Sequence, residues 1–289
     1  MEGVAPVDGI RVGVGGWTYA PWRDNFYPPG LVQRRELEYA SRRLSAIEVN
    51  GTFHRAQKPE TYAKWASQVP PGFVFSVKAP MRIVQARDLA GTGGQVDAFL
   101  DGILALGDTL GPIVWQLDRG GRLRRDDFDA VLDLLPGKVD GRRMRHVLDV
   151  RDPGFVDADV LARLRRHGFA TVFTDSTEHP SFADTTADFV YARLMRSRTE
   201  VPTGYPPAAL AAWAKRARTW AGGGEPEDLP RIGAAAPAGP ARAVSVTYLV
   251  PLFAVAWAWW LLGEPLTTRM AIAGLLILGS VAASQRAAR

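Results

Sequence analysis

The sequence predicts an α/β fold: a TIM-type (β/α) barrel lacking its usual eighth βα unit, followed by a C-terminal apolar helical hairpin. Three observations carry this reading. Strand patterns alternate with helical patterns from residue 11 to residue 220, which is the signature of parallel βα units. Polar and charged residues recur at the C-terminal ends of those strands, as at 46–50, where Ile47 and Val49 share one face and Glu48 and Asn50 the other. After residue 240 the composition changes abruptly, and 243–263 carries no charge at all.

The first strand pattern is 11–16, followed by a loop rich in aromatics and prolines that includes Trp17, Tyr19, Trp22, Phe26 and Tyr27. Helical spacing over 33–44 puts Leu37, Ala40 and Leu44 on one side. The second strand is 46–50. Pro59 opens a helix over 60–69, and Pro70-Pro71-Gly72 stops it. A third strand, 73–78, is followed by a helix at 96–106 and a fourth strand at 113–117. The helix at 126–135 has acids in its first turn, as the helix dipole favours. Strand 146–151, helix 157–167 with Gly168 after it, strands 170–175 and 188–194, and helix 207–220 complete the series. A (β/α)₈ barrel typically needs ~250 residues. The polar strand ends favour a barrel over the alternative, a doubly wound sheet.

The barrel reading assigns 1–220 to one domain, 221–240 to a Gly/Pro/Ala-rich linker and 241–289 to the apolar hairpin. Two apolar runs joined by Gly263-Glu264-Pro265 are each long enough to cross a bilayer. They predict a barrel in the cytoplasm, tethered to the inner membrane through 243–285, with Arg242, Arg286 and Arg289 on the cytoplasmic side. A competing reading takes 243–250 as the eighth barrel strand, because its β-branched and aromatic residues end at Pro251.

Charge excludes little else. Of the 35 basic and 30 acidic residues, Arg242, Arg269, Arg286, Arg289 and Glu264 lie beyond 240, which leaves 31 against 29 in 1–240. That near-neutrality gives scant support for nucleic acid as a partner. The absence of cysteine removes disulfides and thiolate metal sites. His54, His146, His167 and His179 show no ligand spacing, so no metal is expected, and no fingerprint for a dinucleotide or phosphate loop is present, so no cofactor is expected either.

The strand ends carry the chemistry. Glu48, Lys78, Asp149 and Asp175 are the candidate catalytic residues, and Trp17, Asn50, Gln116, Arg151 and Arg193 the candidate substrate-binding ones. In a TIM barrel the C-terminal face of the strands holds the active site. Carboxylates suit general base work, a lysine suits an acid or charge stabiliser, and arginines hold anions in bidentate fashion. The set predicts a small anionic or sugar-like ligand and a hydrolase or lyase acting on a phosphoester or sugar. A structural ion-pair network is the alternative, since charges facing a barrel interior must pair to offset desolvation.

Residues 10–240 resemble the YecE-like TIM-barrel family, domain of unknown function 72. The resemblance rests on Gly15-Gly16-Trp17-Thr18-Tyr19 with Trp22, on Ile47-Glu48-Val49-Asn50, and on Ser76-Val77-Lys78, Trp115-Gln116-Leu117 and Asp188-Phe189-Val190-Tyr191-Ala192-Arg193-Leu194. It implies the barrel but no assigned activity. The sequence departs from that pattern at Asp149, where a glutamate is usual, and at His54, where a tyrosine is common. Residues 239–285 resemble the last helical hairpin of an EamA-type drug/metabolite transporter, through Leu261-Leu262-Gly263-Glu264-Pro265 among others. The join reads as either a gene fusion or a mis-assembled reading frame.

Overall fold

The computed structural model describes residues 9–117 and 123–233. Seven parallel strands form one sheet in chain order: β1 (Gly13–Gly15), β2 (Ala46–Val49), β3 (Val74–Lys78), β4 (Leu110–Leu117), β5 (His146–Val150), β6 (Ala170–Thr174) and β7 (Tyr191–Arg193). Every predicted strand is present. The sheet curls into a half-barrel, and among the described residues β1 and β7 are its two edges. The hairpin read for 243–285, and the alternative eighth strand at 243–250, lie outside the described residues. Among those residues no helix is long and apolar enough to cross a membrane.

Among the described residues six α-helices of six or more residues accompany the strands: α1 (Glu36–Ser41), α2 (Pro59–Ala66), α3 (Gly93–Ile103), α4 (Arg125–Leu134), α5 (Ala158–His167) and α6 (Pro207–Ala221). Their buried residues follow helical spacing, as with Val96, Phe99, Leu100 and Ile103 in α3. Asp157 caps α5 by accepting from the Val160 N–H at 2.9 Å, and Gly168 ends it in the left-handed conformation. The helix expected over 33–44 is shorter than predicted. A 3₁₀ turn at Gln33–Arg35 leads into α1, and the buried Glu36 pairs with Arg23 of the preceding loop at 2.9 Å.

Register fixes which residues line the interior. Gly15 lies beside Glu48, Glu48 beside Ser76, Lys78 beside Val114, Gln116 beside Asp149, and Thr174 beside Arg193. Below this polar layer, Ala46, Val114, Val147, Ala170, Val172, Phe189 and Tyr191 form an apolar plug. The opposite sheet face packs on the helices in the main core. No side chain fits at Gly13, where a Cβ would stand 2.2 Å from the Ala46 carbonyl oxygen.

Two features add to the sequence reading. A short antiparallel ribbon pairs Lys138–Val139 with Arg142–Arg143, turning through Asp140 and Gly141, both with positive φ. Residues 222–233, within the span read as a linker, are tied to the barrel. The Asp184 carboxylate accepts from the N–H groups of Ile232 at 2.8 Å and Gly233 at 3.0 Å, and Glu225 accepts from the Thr185 N–H at 2.7 Å.

Candidate functional site

Glu48 is fully buried on the inward face of β2. The Arg193 guanidinium, from the far edge of the sheet, forks onto it, with Nε donating to Oε2 at 3.1 Å and Nη2 to Oε1 at 2.7 Å. The Tyr191 hydroxyl donates to the same carboxylate. Its oxygen also lies 3.0 Å from Ser76 Oγ, so the serine donates to the phenol. Arg193 Nη1 donates to Asp149, whose Oδ2 also takes Arg151 Nη2 at 3.3 Å. Thus β2, β3, β5 and β7 meet in one polar network across the interior.

Such a network is compelled by burial. A carboxylate or guanidinium removed from water must regain its hydrogen bonds and a counter-charge, and a bidentate Arg–carboxylate fork supplies both. Lys78 stands differently. Its Nζ lies 4.2 Å from the centre of the Phe53 ring, and among the described residues it has no carboxylate contact. Burial lowers its pKa from 10.5, the Arg193 charge lowers it further, and Glu48 and Asp149 act in the opposite direction. The main chain here is pinned by the buried Thr52 hydroxyl, which reaches the carbonyl oxygens of Val49 at 2.8 Å and Lys78 at 2.7 Å.

Gln116 Oε1 is buried and has no hydrogen-bond partner among the described residues. It sits in register with Asp149 on the inner face, so an acceptor is left open beside the charged network. The Tyr19 hydroxyl donates to the Gly15 carbonyl oxygen, and the Asn50 side chain lies close enough to the phenol to act on its pKa. Burial raises the pKa of that phenol, and Glu48 adds to the rise. Tyr19 therefore lies over the site on the loop after β1.

Seven of the nine predicted residues are accounted for around this network: Glu48, Asn50, Lys78, Gln116, Asp149, Arg151 and Arg193. Two are placed elsewhere. Trp17 packs edge-on against Trp65, with ring centres 5.2 Å apart, and near Phe75 at 6.3 Å, on the helix-facing side of the sheet. Gly16, at φ +80°, breaks the strand alternation that would have turned Trp17 inward. Asp175 is out of phase as well: Thr174 is the inward residue of β6, and Phe173, of the same parity as Asp175, packs on Trp213 and Trp220 of α6. The Asp175 carboxylate instead accepts from the Met195 N–H at 2.7 Å and the Tyr205 hydroxyl at 2.8 Å.

Ser76 and Tyr191 belong to the network although the sequence reading did not single them out. Both stand two residues before a predicted site residue, Lys78 and Arg193, and strand alternation could have found them. His146 lies on the outward face. Its Nδ1 accepts from Trp115 Nε1–H at 3.0 Å, which leaves Nε2 to donate to the Pro136 carbonyl at 2.9 Å. Burial lowers its pKa from 6.5 to about 4. Among the described residues no group of three or more histidine and carboxylate side chains is arranged to hold a metal.

Comparisons with known proteins agree with this architecture. A solved DUF72 family protein from Enterococcus faecalis V583 superposes with a TM-score of 0.62 at 12% identity, covering 89% of this chain and 97% of that one. A DUF72 family protein from Thermotoga maritima MSB8 gives 0.60 at 16% identity, covering 82% and 91%. These likenesses show the fold. The UPF0759 protein YunF of Bacillus subtilis (strain 168) is 30% identical over 70 residues, and the chain spans about a quarter of the length of that curated relative, 24%. The family model described as protein of unknown function DUF72 matches residues 11–231, most of the chain, and the protein accordingly belongs to the DUF72 family.

Proposed function

We propose that the strand-end cluster is a small-molecule site for an anionic, phosphoester or sugar-like substrate, at which Lys78 is the acting group. The observation that carries this reading is the contrast between Lys78 and its neighbours. Glu48, Asp149 and Arg193 are engaged with one another, whereas Lys78 has no carboxylate contact among the described residues. Lys78 is a cation set beside this network without an ion pair of its own among the described residues, which favours an anion as its partner. A lowered lysine pKa suits proton transfer or stabilisation of developing negative charge in a hydrolase or lyase step. Glu48 and Arg193 act as the frame that holds the site, and the open Gln116 acceptor would take a substrate hydroxyl.

The test is a thermal-shift screen of the full chain against phosphorylated sugars and sugar acids, with Lys78→Met as the control. The expected result is a ligand-induced rise in melting temperature that Lys78→Met abolishes. A rise of equal size in both proteins would remove Lys78 from the site.

A further inference from the structure

A cleft of about 510 Å³ opens beyond the C-terminal ends of β6 and β7 against α6, and its walls include Asp175, Ser176, Ser181, Arg196, Arg198 and Trp213. Its volume lies in the range of small-ligand sites. None of Glu48, Lys78, Asp149 and Arg193 lines it, so it is separate from the site described above.

The walls are rich in donors, and Asp175 is the one carboxylate among the described lining residues. Both Asp175 oxygens are taken, one by the Met195 N–H and the other by the Tyr205 hydroxyl. That hydroxyl in turn accepts from the Arg196 N–H at 2.7 Å. Arg216, over the Trp213 ring at 4.2 Å, is neutralised by Asp228 at 2.8 Å. Ser181 Oγ accepts from the Thr174 N–H at 2.8 Å and Ser176 Oγ from the Glu178 N–H at 3.1 Å. Each serine is thus held by its oxygen and still has its hydroxyl proton to give. Among the described residues the Arg196 and Arg198 guanidinium groups have no ion-pair or hydrogen-bond partner.

The backbone that carries these arginines is set by its own turn. Arg198 N–H donates to the Gly204 carbonyl at 2.7 Å, Val201 N–H to the Arg198 carbonyl at 3.2 Å, and Gly204 N–H to the Val201 carbonyl at 2.6 Å. Gly204 takes a positive φ that closes the turn. Asp175 therefore serves to pin this loop through Met195 and Tyr205.

We propose that this cleft is an anion site for the phosphate group of a phosphomonoester, held by Arg196 and Arg198 with the Ser176 and Ser181 hydroxyls. Two unneutralised guanidinium groups beside free hydroxyl donors match the several acceptor oxygens and the double charge of phosphate. Substrates of the Lys78 site would not compete here, since the two sites share no lining residue among those named.

The test is isothermal titration of the full chain with inorganic phosphate and with glycerol phosphate, which separates free phosphate from a phosphomonoester. The proteins compared are the wild type, Arg196→Gln/Arg198→Gln and Lys78→Met. Both arginines are exposed, so their removal leaves the core untouched. The expected result is saturable binding of at least one of the two ligands that weakens about tenfold or more in the double arginine variant and persists in Lys78→Met. Binding that survives the arginine substitutions, binding lost equally in Lys78→Met, or no saturable binding of either ligand overturns the assignment.

Discussion

Replacing Arg193 by methionine tests whether the cross-barrel network holds the fold. Arg193 is 3% exposed and neutralises two carboxylates, Glu48 and Asp149, of which Glu48 is 0% exposed. The substitution preserves much of the volume but takes the bidentate arginine from Glu48, to which the Tyr191 hydroxyl still donates, and leaves Asp149 with Arg151. Breaking a buried pair by removing one partner costs about 3–5 kcal/mol. For a domain of this size each kcal/mol lowers the melting temperature by about 2–4 °C, so the drop is roughly 6–20 °C. Urea unfolding followed by tryptophan fluorescence measures it. Pairing the variant with Glu48→Gln completes a double-mutant cycle. The double variant leaves no unpaired charge between these two positions, so its cost falls short of the summed single costs by about 1–3 kcal/mol. A loss under about 1 kcal/mol for Arg193→Met, or additivity within about 0.5 kcal/mol, refutes the reasoning.

Two predictions concern pH. The folded-state pKa of Lys78 lies below 10.5, so over the interval up to 10.5 the unfolded chain keeps a proton that the folded protein has released. Stability of the wild type relative to Lys78→Met therefore rises as pH climbs through that interval and levels off above it, and a flat difference in chemical denaturation contradicts this. His146, lowered from 6.5 to about 4 by burial, contributes stability that is present above 6.5 and lost as pH falls toward 4. The loss is about 3 kcal/mol at most. His146→Gln removes the titrating group and shallows the acid limb of a melting-temperature profile; an unchanged limb would assign the acid sensitivity to other groups.

Much of the fold was legible because most strands are apolar blocks with a glycine or proline beside them, as Gly72 and Pro80 stand about β3 and Gly168 before β6. The polar exceptions within those blocks, Glu48, Lys78, Asp149 and Arg193, marked the interior. What failed was phase. One residue of error at the end of β6 exchanges Thr174 for Asp175, and the left-handed Gly16 removes Trp17 from the alternation that applies to Gly13–Gly15. The Asp140-Gly141 turn carries a hairpin signal that the strand-and-helix reading passed over. The fork between Arg193 and Glu48 could not be read at all, because it depends on how far the sheet curls. That curl is a property of the whole set of strands, and no single segment encodes it.

The same fork has a kinetic consequence. Glu48 and Arg193 are separated by 145 residues, and Glu48 and Tyr191 by 143. A contact of such range carries a large loop-closure cost until the intervening strands have assembled. The expected outcome is that it closes after the rate-limiting step, so that its loss shows in the unfolding arm of a chevron with the folding arm nearly unmoved. Tyr191 and Arg193 act as a latch shut last, which sets how long the assembled protein lasts and leaves the speed of assembly to the local βα units.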